Sequence, residues 1–275
     1  MEYTQERVAT LHDYGEAAPA APVDRATIVV PMTEREYAGL AAEHVLSTLA
    51  TLDPGRVVVP LRAPAERVSA FVDWLDGFAL PLEVLWCSGP RVADLLEDVG
   101  LDGAAGKGRD VWLALGLAAR SAHVVLHDAD AESYSARDVP KLLAPLAGGF
   151  DFSKGYYARV ESGRLYGRLF RLFYEPLVAA LGETREADVL DYLGAFRYAL
   201  AGECAMTGEL ARSMRVQRRW GLEVGTLGEA FRLAGPAASA QVDLGFYEHD
   251  HRSVSGPTGL GDMSAGVGGA LFRAV

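Results

Sequence analysis

At 275 residues with half of its positions hydrophobic, the chain is long enough to bury one large core without disulfide or metal staples. A formal net charge of -11 and a pI near 5.0 exclude a protein that wraps nucleic acid, because an acidic surface repels phosphates. No stretch approaches the roughly 18 apolar residues of a membrane span and no secretory signal is visible, so the expectation is a cytoplasmic protein with no membrane span.

In chain order, residues 1–24 read as a flexible, Pro/Ala-rich leader. Ala26 to Pro31 is a short β-branched run closed by proline, the pattern of a buried parallel strand. Helical spacing over Glu36 to Leu52 follows, then a strand over Arg56 to Leu61, a helix over Ala65 to Leu75 and a strand over Leu82 to Trp86. Val92 to Val99 reads as helix, 100–108 as a Gly-rich loop and Asp110 to Arg120 as helix. The clearest strand is His123 to His127. Beyond Asp138 the pattern predicts a strand over Gly149 to Ala158 and an amphipathic helix over Leu165 to Leu181. Strands over Ala201 to Thr207 and Ala238 to Tyr247 alternate with helices over Glu209 to Met214 and Leu222 to Leu233. The tail from Ser253 reads as a mobile loop with a short helix near Met263 to Phe272. This alternation predicts an α/β class fold, a single domain with a doubly wound, mixed but mostly parallel sheet flanked by helices.

Cys87 and Cys204 lie in apolar stretches without zinc spacing and read as buried thiols. Asp128-Ala129-Asp130 is a D-x-D at the end of an apolar strand, where ligands of open α/β sheets gather. Hard divalent cations such as Mg²⁺ or Mn²⁺ take such carboxylates and keep substrate phosphates as further ligands. Lysine is scarce, and Lys107 stands between two glycines, where backbone and ammonium can approach a phosphate. Neither a P-loop nor a Rossmann fingerprint is present. Gly163 and Arg164 read as the opening of a helix, whose amides favour anions. Glu223 falls at a helix start, where a carboxylate can be either functional or simply stabilising.

The motifs Val30-Pro31-Met32-Thr33-Glu34, Gly106-Lys107-Gly108, Asp128-Ala129-Asp130, Ser153-Lys154-Gly155-Tyr156-Tyr157, Gly163-Arg164, Ala201-Gly202-Glu203, Gly221-Leu222-Glu223 and Gln241 to Gly245 with His249 occur in an order that resembles the glucosyl-3-phosphoglycerate synthase family. That family comprises retaining GT-A glycosyltransferases related to mannosyl-3-phosphoglycerate synthases. The resemblance implies that Asp130 and His249 coordinate a divalent metal, with His251 the competing histidine, and that Asp128 and Ala129 meet the nucleotide. It further implies that Pro31, Met32, Thr33 and Glu34 line the base and ribose pocket, that Lys107 contacts nucleotide or donor, and that Glu223 lies near the transferred sugar. Gly163, Arg164 and Leu165 match the segment that holds the acceptor phosphate. Pro60 to Pro64 stands where family members carry an acidic, serine-rich turn.

On this reading Glu223, Lys107 and Asp130 carry catalysis, and the co-substrate is an NDP-sugar, UDP-glucose first and GDP-mannose or GDP-glucose next. The acceptor is 3-phosphoglycerate or a similar small phosphorylated acid. Residues 25–130 form the nucleotide-binding half, 131–252 the acceptor-binding half and 253–275 the tail; a homodimer is left open. The alternatives are a glycosyltransferase for lipid-linked or polysaccharide acceptors, and a nucleotide-sugar-binding protein without turnover.

Overall fold

Two β-branched runs, Thr27 to Val30 and Val57 to Val59, are fully buried and lie side by side in parallel, as expected of strands covered on both faces. They form the centre of the computed structural model, which describes residues 8–12, 20–101, 105–161, 163–218, 220–248 and 257–275. In chain order the elements are β1 (Ala9–Leu11), β2 (Ala26–Val29), β3 (Met32–Thr33), α1 (Leu40–Ala50), β4 (Arg56–Arg62), α2 (Ala65–Leu75), β5 (Leu82–Trp86), α3 (Pro90–Asp98), α4 (Lys107–Ala118) and β6 (His123–Leu126). There follow α5 (Asp138–Ala147), β7 (Phe152–Glu161), β8 (Arg164–Leu165), α6 (Glu175–Thr184), α7 (Asp188–Gly194), β9 (Cys204–Thr207), α8 (Gly208–Ser213), α9 (Leu222–Ala234), β10 (Ser239–Tyr247) and α10 (Pro257–Ala274).

The sheet runs β1-β10-β7-β9-β6-β2-β4-β3, with β5 on β4 and β8 on β7. Its strands are parallel except β9, which pairs antiparallel with both β6 and β7, and β8, which turns back on β7. Side chains alternate between two cores. Ile28, Val57, Val59, Val125 and Ala205 face α1, α2 and α5, whereas Val29, Val58, Val124, Cys204 and Met206 face α4, α7, α8, α9 and α10. The fold is therefore the doubly wound, mixed and mostly parallel one that the alternation predicts. Cys87 and Cys204 are buried free thiols.

Several boundaries differ for physical reasons. Ala9 to Leu11, expected within a loose leader, forms an edge strand along β10. The helix expected from Glu36 starts at Leu40, because Thr33 and Glu36 form a capping box that closes a separate short turn, with the Thr33 amide donating to Glu36 Oε2 at 2.6 Å. The Gly-rich loop ends sooner than expected, with α4 starting at Lys107 itself. The helix expected from Leu165 does not start there. Glu161 pairs with Arg164 across a tight hairpin turn in which Gly163 has φ +71°, and Gly167 at φ +86° delays the helix again. A π-helical turn at Phe170–Tyr174 then leads into α6. The tail helix α10 is longer than the short one expected. Among the described residues no helix is long and apolar enough to cross a membrane.

Candidate active site

The site forms at the carboxyl end of β6. That strand delivers Asp128, Ala129 and Asp130, and because β9 runs antiparallel beside it, the residues just before β9 arrive at the same end. Gly202 is one of them, and a Cβ there would stand 2.3 Å from Asp128 Oδ2. Glycine is thus required by the close approach of backbone to carboxylate. Lys154, buried in β7, donates its Nζ proton to the Ala201 carbonyl and so ties the Ala201-Gly202-Glu203 segment in place. Lys154 is therefore a structural lysine, unlike Lys107.

Lys107, at the first turn of α4, lies between two acids. Its Nζ is 2.6 Å from Asp128 Oδ1 and 3.2 Å from Glu223 Oε1. Burial works against its charge, but Asp128 and then Glu223 outweigh that effect and hold the ammonium above its ordinary range. The position of α4 leaves no latitude: a Cβ on Gly108 would meet the Gln217 carbonyl oxygen at 1.7 Å. Glu223 comes from the first turn of α9, whose preceding Gly221 packs against Ala270 of α10.

More acids gather here than Lys107 can neutralise. Burial, and then the Asp128 charge, push the Asp130 carboxyl well above the ordinary carboxylate range. Glu203, wholly buried behind Asp128, is pushed up by the same two causes in the same order. Neighbouring His127 is buried with neither ring nitrogen hydrogen-bonded, and burial lowers its pKa to about 3, so it is a neutral imidazole edge-on to Tyr134. Surplus oxygen ligands with too little positive charge suit a hard divalent cation. Among the described residues no group of three or more His, Cys, Asp or Glu side chains is arranged to hold a metal by itself. Asp128 and Asp130 would need substrate oxygens, or ligands from residues 249–256, to complete a coordination shell. His249 and its competitor His251 lie outside the described residues. Glu248, which leads into them, is tied to the loop after Asp130: its carbonyl accepts from the Glu132 amide at 2.8 Å and its amide donates to Ser133 Oγ at 2.9 Å.

Beside the acids opens a cavity of about 230 Å³. Pro31, Met32, Thr33, Lys107, Asp128, Ala129 and Asp130 line it, so these predicted residues are brought together. Met32 and Ala129 are buried. Glu34 lies in an adjoining cavity of about 790 Å³ that shares Thr33, Arg62 and Trp220 with the first. Gly163, Arg164 and Leu165 stand exposed on the β7-β8 hairpin rather than at a helix start, so helix-end amides are not what an anion would meet there.

Five lining or neighbouring residues, Glu36, Arg62, Asp110, Trp220 and Glu203, have no role in the sequence reading. Arg62 donates its Nε proton to buried Asp110 at 2.8 Å, and both border the 230 Å³ cavity. Trp220 overhangs both cavities. Glu203 belongs to the Ala201-Gly202-Glu203 motif but carries no expected role there. A readable signal existed for two of them: an acid in the apolar run Ala199 to Thr207, and an arginine inside Pro60 to Pro64.

No family model matches the chain. A curated relative, the glucosyl-3-phosphoglycerate synthase of Methanococcoides burtonii, is 36% identical over 298 aligned residues, covering all of this chain and 74% of that protein. The chain belongs to the glucosyl-3-phosphoglycerate synthase family. The chain is therefore a glycosyltransferase. The fold agrees with the Mycobacterium tuberculosis glucosyl-3-phosphoglycerate synthase in a crystal structure with Mn²⁺, UDP and phosphoglyceric acid, at a TM-score of 0.74, 23% identity, and coverage of 98% of this chain and 87% of that one. A second crystal structure of that protein, with Mn²⁺, UDP-glucose and phosphoglyceric acid, gives a TM-score of 0.73 at 24% identity, covering 97% and 87%. The GT-A layout expected from the resemblance is thus the observed one.

Proposed function

We propose that the chain transfers glucose from UDP-glucose to the hydroxyl of 3-phosphoglycerate with retention at the anomeric carbon, in the presence of Mg²⁺ or Mn²⁺. The observation that carries this reading is the cluster of Asp128, Asp130 and Glu223 around Lys107 at a strand end, in a chain 36% identical along its whole length to a synthase of that name. Retention comes with family membership.

The roles are those that family membership suggests, and the shared cavity of Pro31, Met32, Thr33, Lys107, Asp128, Ala129 and Asp130 supports them. Pro31, Met32, Thr33 and Glu34 shape the cleft for base and ribose, and Asp128 with Ala129 meets the ribose. Asp130, together with His249, would hold the cation. A bound divalent cation would offset the negative charge that grows on the departing diphosphate. Lys107, already held between two carboxylates, adds a fixed positive charge beside that leaving group and is poised without reorganisation. Glu223, 3.2 Å from Lys107 Nζ, orients the hexose through its hydroxyls. Gly163, Arg164 and Leu165 hold the acceptor phosphate. Among the described residues of the cluster no side chain is assigned as a covalent nucleophile, and the departing phosphate takes the acceptor proton. Donor and acceptor are both small, water-soluble anions, and the reaction belongs in the cytoplasm.

The test is a matrix of donors and acceptors. UDP-glucose, GDP-glucose and GDP-mannose are each offered with 3-phosphoglycerate, with glycerol 3-phosphate or with no acceptor, in Mn²⁺ or EDTA, and nucleotide release is measured. Release of UDP that requires both the cation and 3-phosphoglycerate is the expected result. Release from no donor under any condition, or release indifferent to a phosphorylated acceptor, would overturn the reading.

A further inference from the structure

Arg159 lies in β7, in register with Tyr247 of β10, and its carbonyl accepts from the Tyr166 amide at 2.8 Å. In the β7-β8 hairpin Val160 pairs with Leu165, which sets Arg159 opposite Tyr166, and directly opposed residues of an antiparallel pair point to the same side. Arg164 is two residues from Tyr166, so Arg159 and Arg164 share one face of the hairpin, separated by roughly 7 Å of strand. Their surroundings differ. Arg164 is exposed at the tip, whereas Arg159 is half-buried towards the acids of β6. β7 runs past the start of β9 at this end of the sheet, the Gly155 amide donating to the Glu203 carbonyl, and the Arg159 guanidinium there lies beside the Tyr198 phenol and within the field of the Asp130 carboxylate. Tyr198 is itself fixed from behind, with ring centroids 5.2 Å from Tyr157 and 5.2 Å from Phe170. Among the described residues no carboxylate forms an ion pair with Arg159, so a planar, bidentate donor is held at the inner end of the hairpin with a neutral phenol as its partner.

We propose that Arg159 binds the carboxylate of the acceptor, while Arg164 holds its phosphate. This rests on the proposed function, and the chemistry of that acceptor supplies the argument. In 3-phosphoglycerate the reacting hydroxyl stands between a phosphate and a carboxylate. With the phosphate at the hairpin tip, the remainder of the molecule runs inward towards Asp130, and its carboxylate passes Arg159. A guanidinium matches a carboxylate with two parallel hydrogen bonds, and pinning both ends of so short a molecule sets the hydroxyl between them. Arg159 is thus a specificity residue: it selects a phosphorylated acid over a phosphorylated alcohol.

The experiment compares 3-phosphoglycerate with glycerol 3-phosphate, which has a hydroxymethyl group in place of the carboxylate, in wild type, Arg159→Gln and Arg159→Lys, using UDP-glucose and Mn²⁺. Wild type is expected to prefer 3-phosphoglycerate. Arg159→Gln should raise its KM about 10- to 100-fold and leave the KM for UDP-glucose and the kcat/KM for glycerol 3-phosphate within about twofold, collapsing the preference. Arg159→Lys, which keeps the charge but not the fork, should retain part of the preference and serves as the test if the glutamine variant does not fold, folding being read from UDP binding. Equal losses for both acceptors, or an unchanged ratio in a folded variant, would overturn the role of Arg159. Wild type that transfers no glucose to 3-phosphoglycerate would instead overturn the proposed function itself, and the Arg159 assignment with it.

Discussion

Gly202 lies so close to the Asp128 carboxylate that a Cβ would come within 2.3 Å of Oδ2 and 2.7 Å of Cγ. A strand end and a segment more than seventy residues later in the chain are therefore in contact through one missing side chain. Gly202→Ala should push Asp128 off its contact with Lys107. The expected outcome is a fall in kcat of about 100-fold, comparable to losing one preorganised polar contact at a reacting centre, with the circular dichroism spectrum unchanged. Gly182→Ala, on α6 with open space around it, is the control and should keep full activity. Steady-state rates with UDP-glucose and 3-phosphoglycerate check the pair.

Lys107 holds the charge balance of the site. Replacing it by methionine keeps most of its apolar stem and leaves Asp128 and Glu223 facing each other without a cation between them. Turnover should drop by about 100- to 1,000-fold, and the KM for UDP-glucose should rise, because the repulsion bears on the donor diphosphate as well. Initial-rate measurements over a donor series separate the two effects. An unchanged kcat would remove Lys107 from the mechanism.

Asp138 offers a stability test remote from the chemistry. It is buried, accepts hydrogen bonds through Oδ2 from the Ser135 amide at 3.0 Å and the Tyr247 hydroxyl at 2.8 Å, and burial raises its pKa from 3.8 to about 6. The folded state thus holds the proton more tightly than the unfolded chain. Its favourable contribution is fully present below about pH 4 and is lost as pH rises to about 6, an effect on the order of 3 kcal/mol. Asp138→Asn, which keeps an acceptor but does not titrate, should remove this loss. Thermal unfolding from pH 4 to pH 7 should show wild type losing several degrees of Tm relative to the variant as pH rises. Parallel curves would contradict the assignment.

The central strands were legible because β-branched residues buried on both faces leave an uninterrupted apolar run. β5 and α2 have the bounds the pattern predicts, and β4 extends only to Arg62. α5 was not legible: Pro140 and Pro145 lie within Asp138–Ala147 and break the helical pattern, yet the helix forms because burial against β7, β9 and β10 outweighs them. The hairpin at Gly163 was misread as helix because an apolar period ran on into Leu165, and only the left-handed φ of Gly163 and Gly167 interrupts it. In the site, residues adjacent in sequence were found together, since one strand delivers Asp128, Ala129 and Asp130. Glu203, Trp220 and the Arg62-Asp110 pair join by tertiary contact across large sequence separations, which no local period records. Arg164, expected at a helix start, stands instead on the β7-β8 hairpin.

The central claim is that Asp130 and its neighbours hold a divalent cation against the donor diphosphate. Titration calorimetry of UDP into wild type and Asp130→Ala, each in Mn²⁺ and in EDTA, tests it most directly. Mn²⁺ should tighten UDP binding to wild type by at least about 10-fold, and Asp130→Ala should lose that gain while keeping the weaker metal-free affinity. UDP binding of equal strength with and without Mn²⁺ in wild type, or a full Mn²⁺ effect in Asp130→Ala, would contradict it.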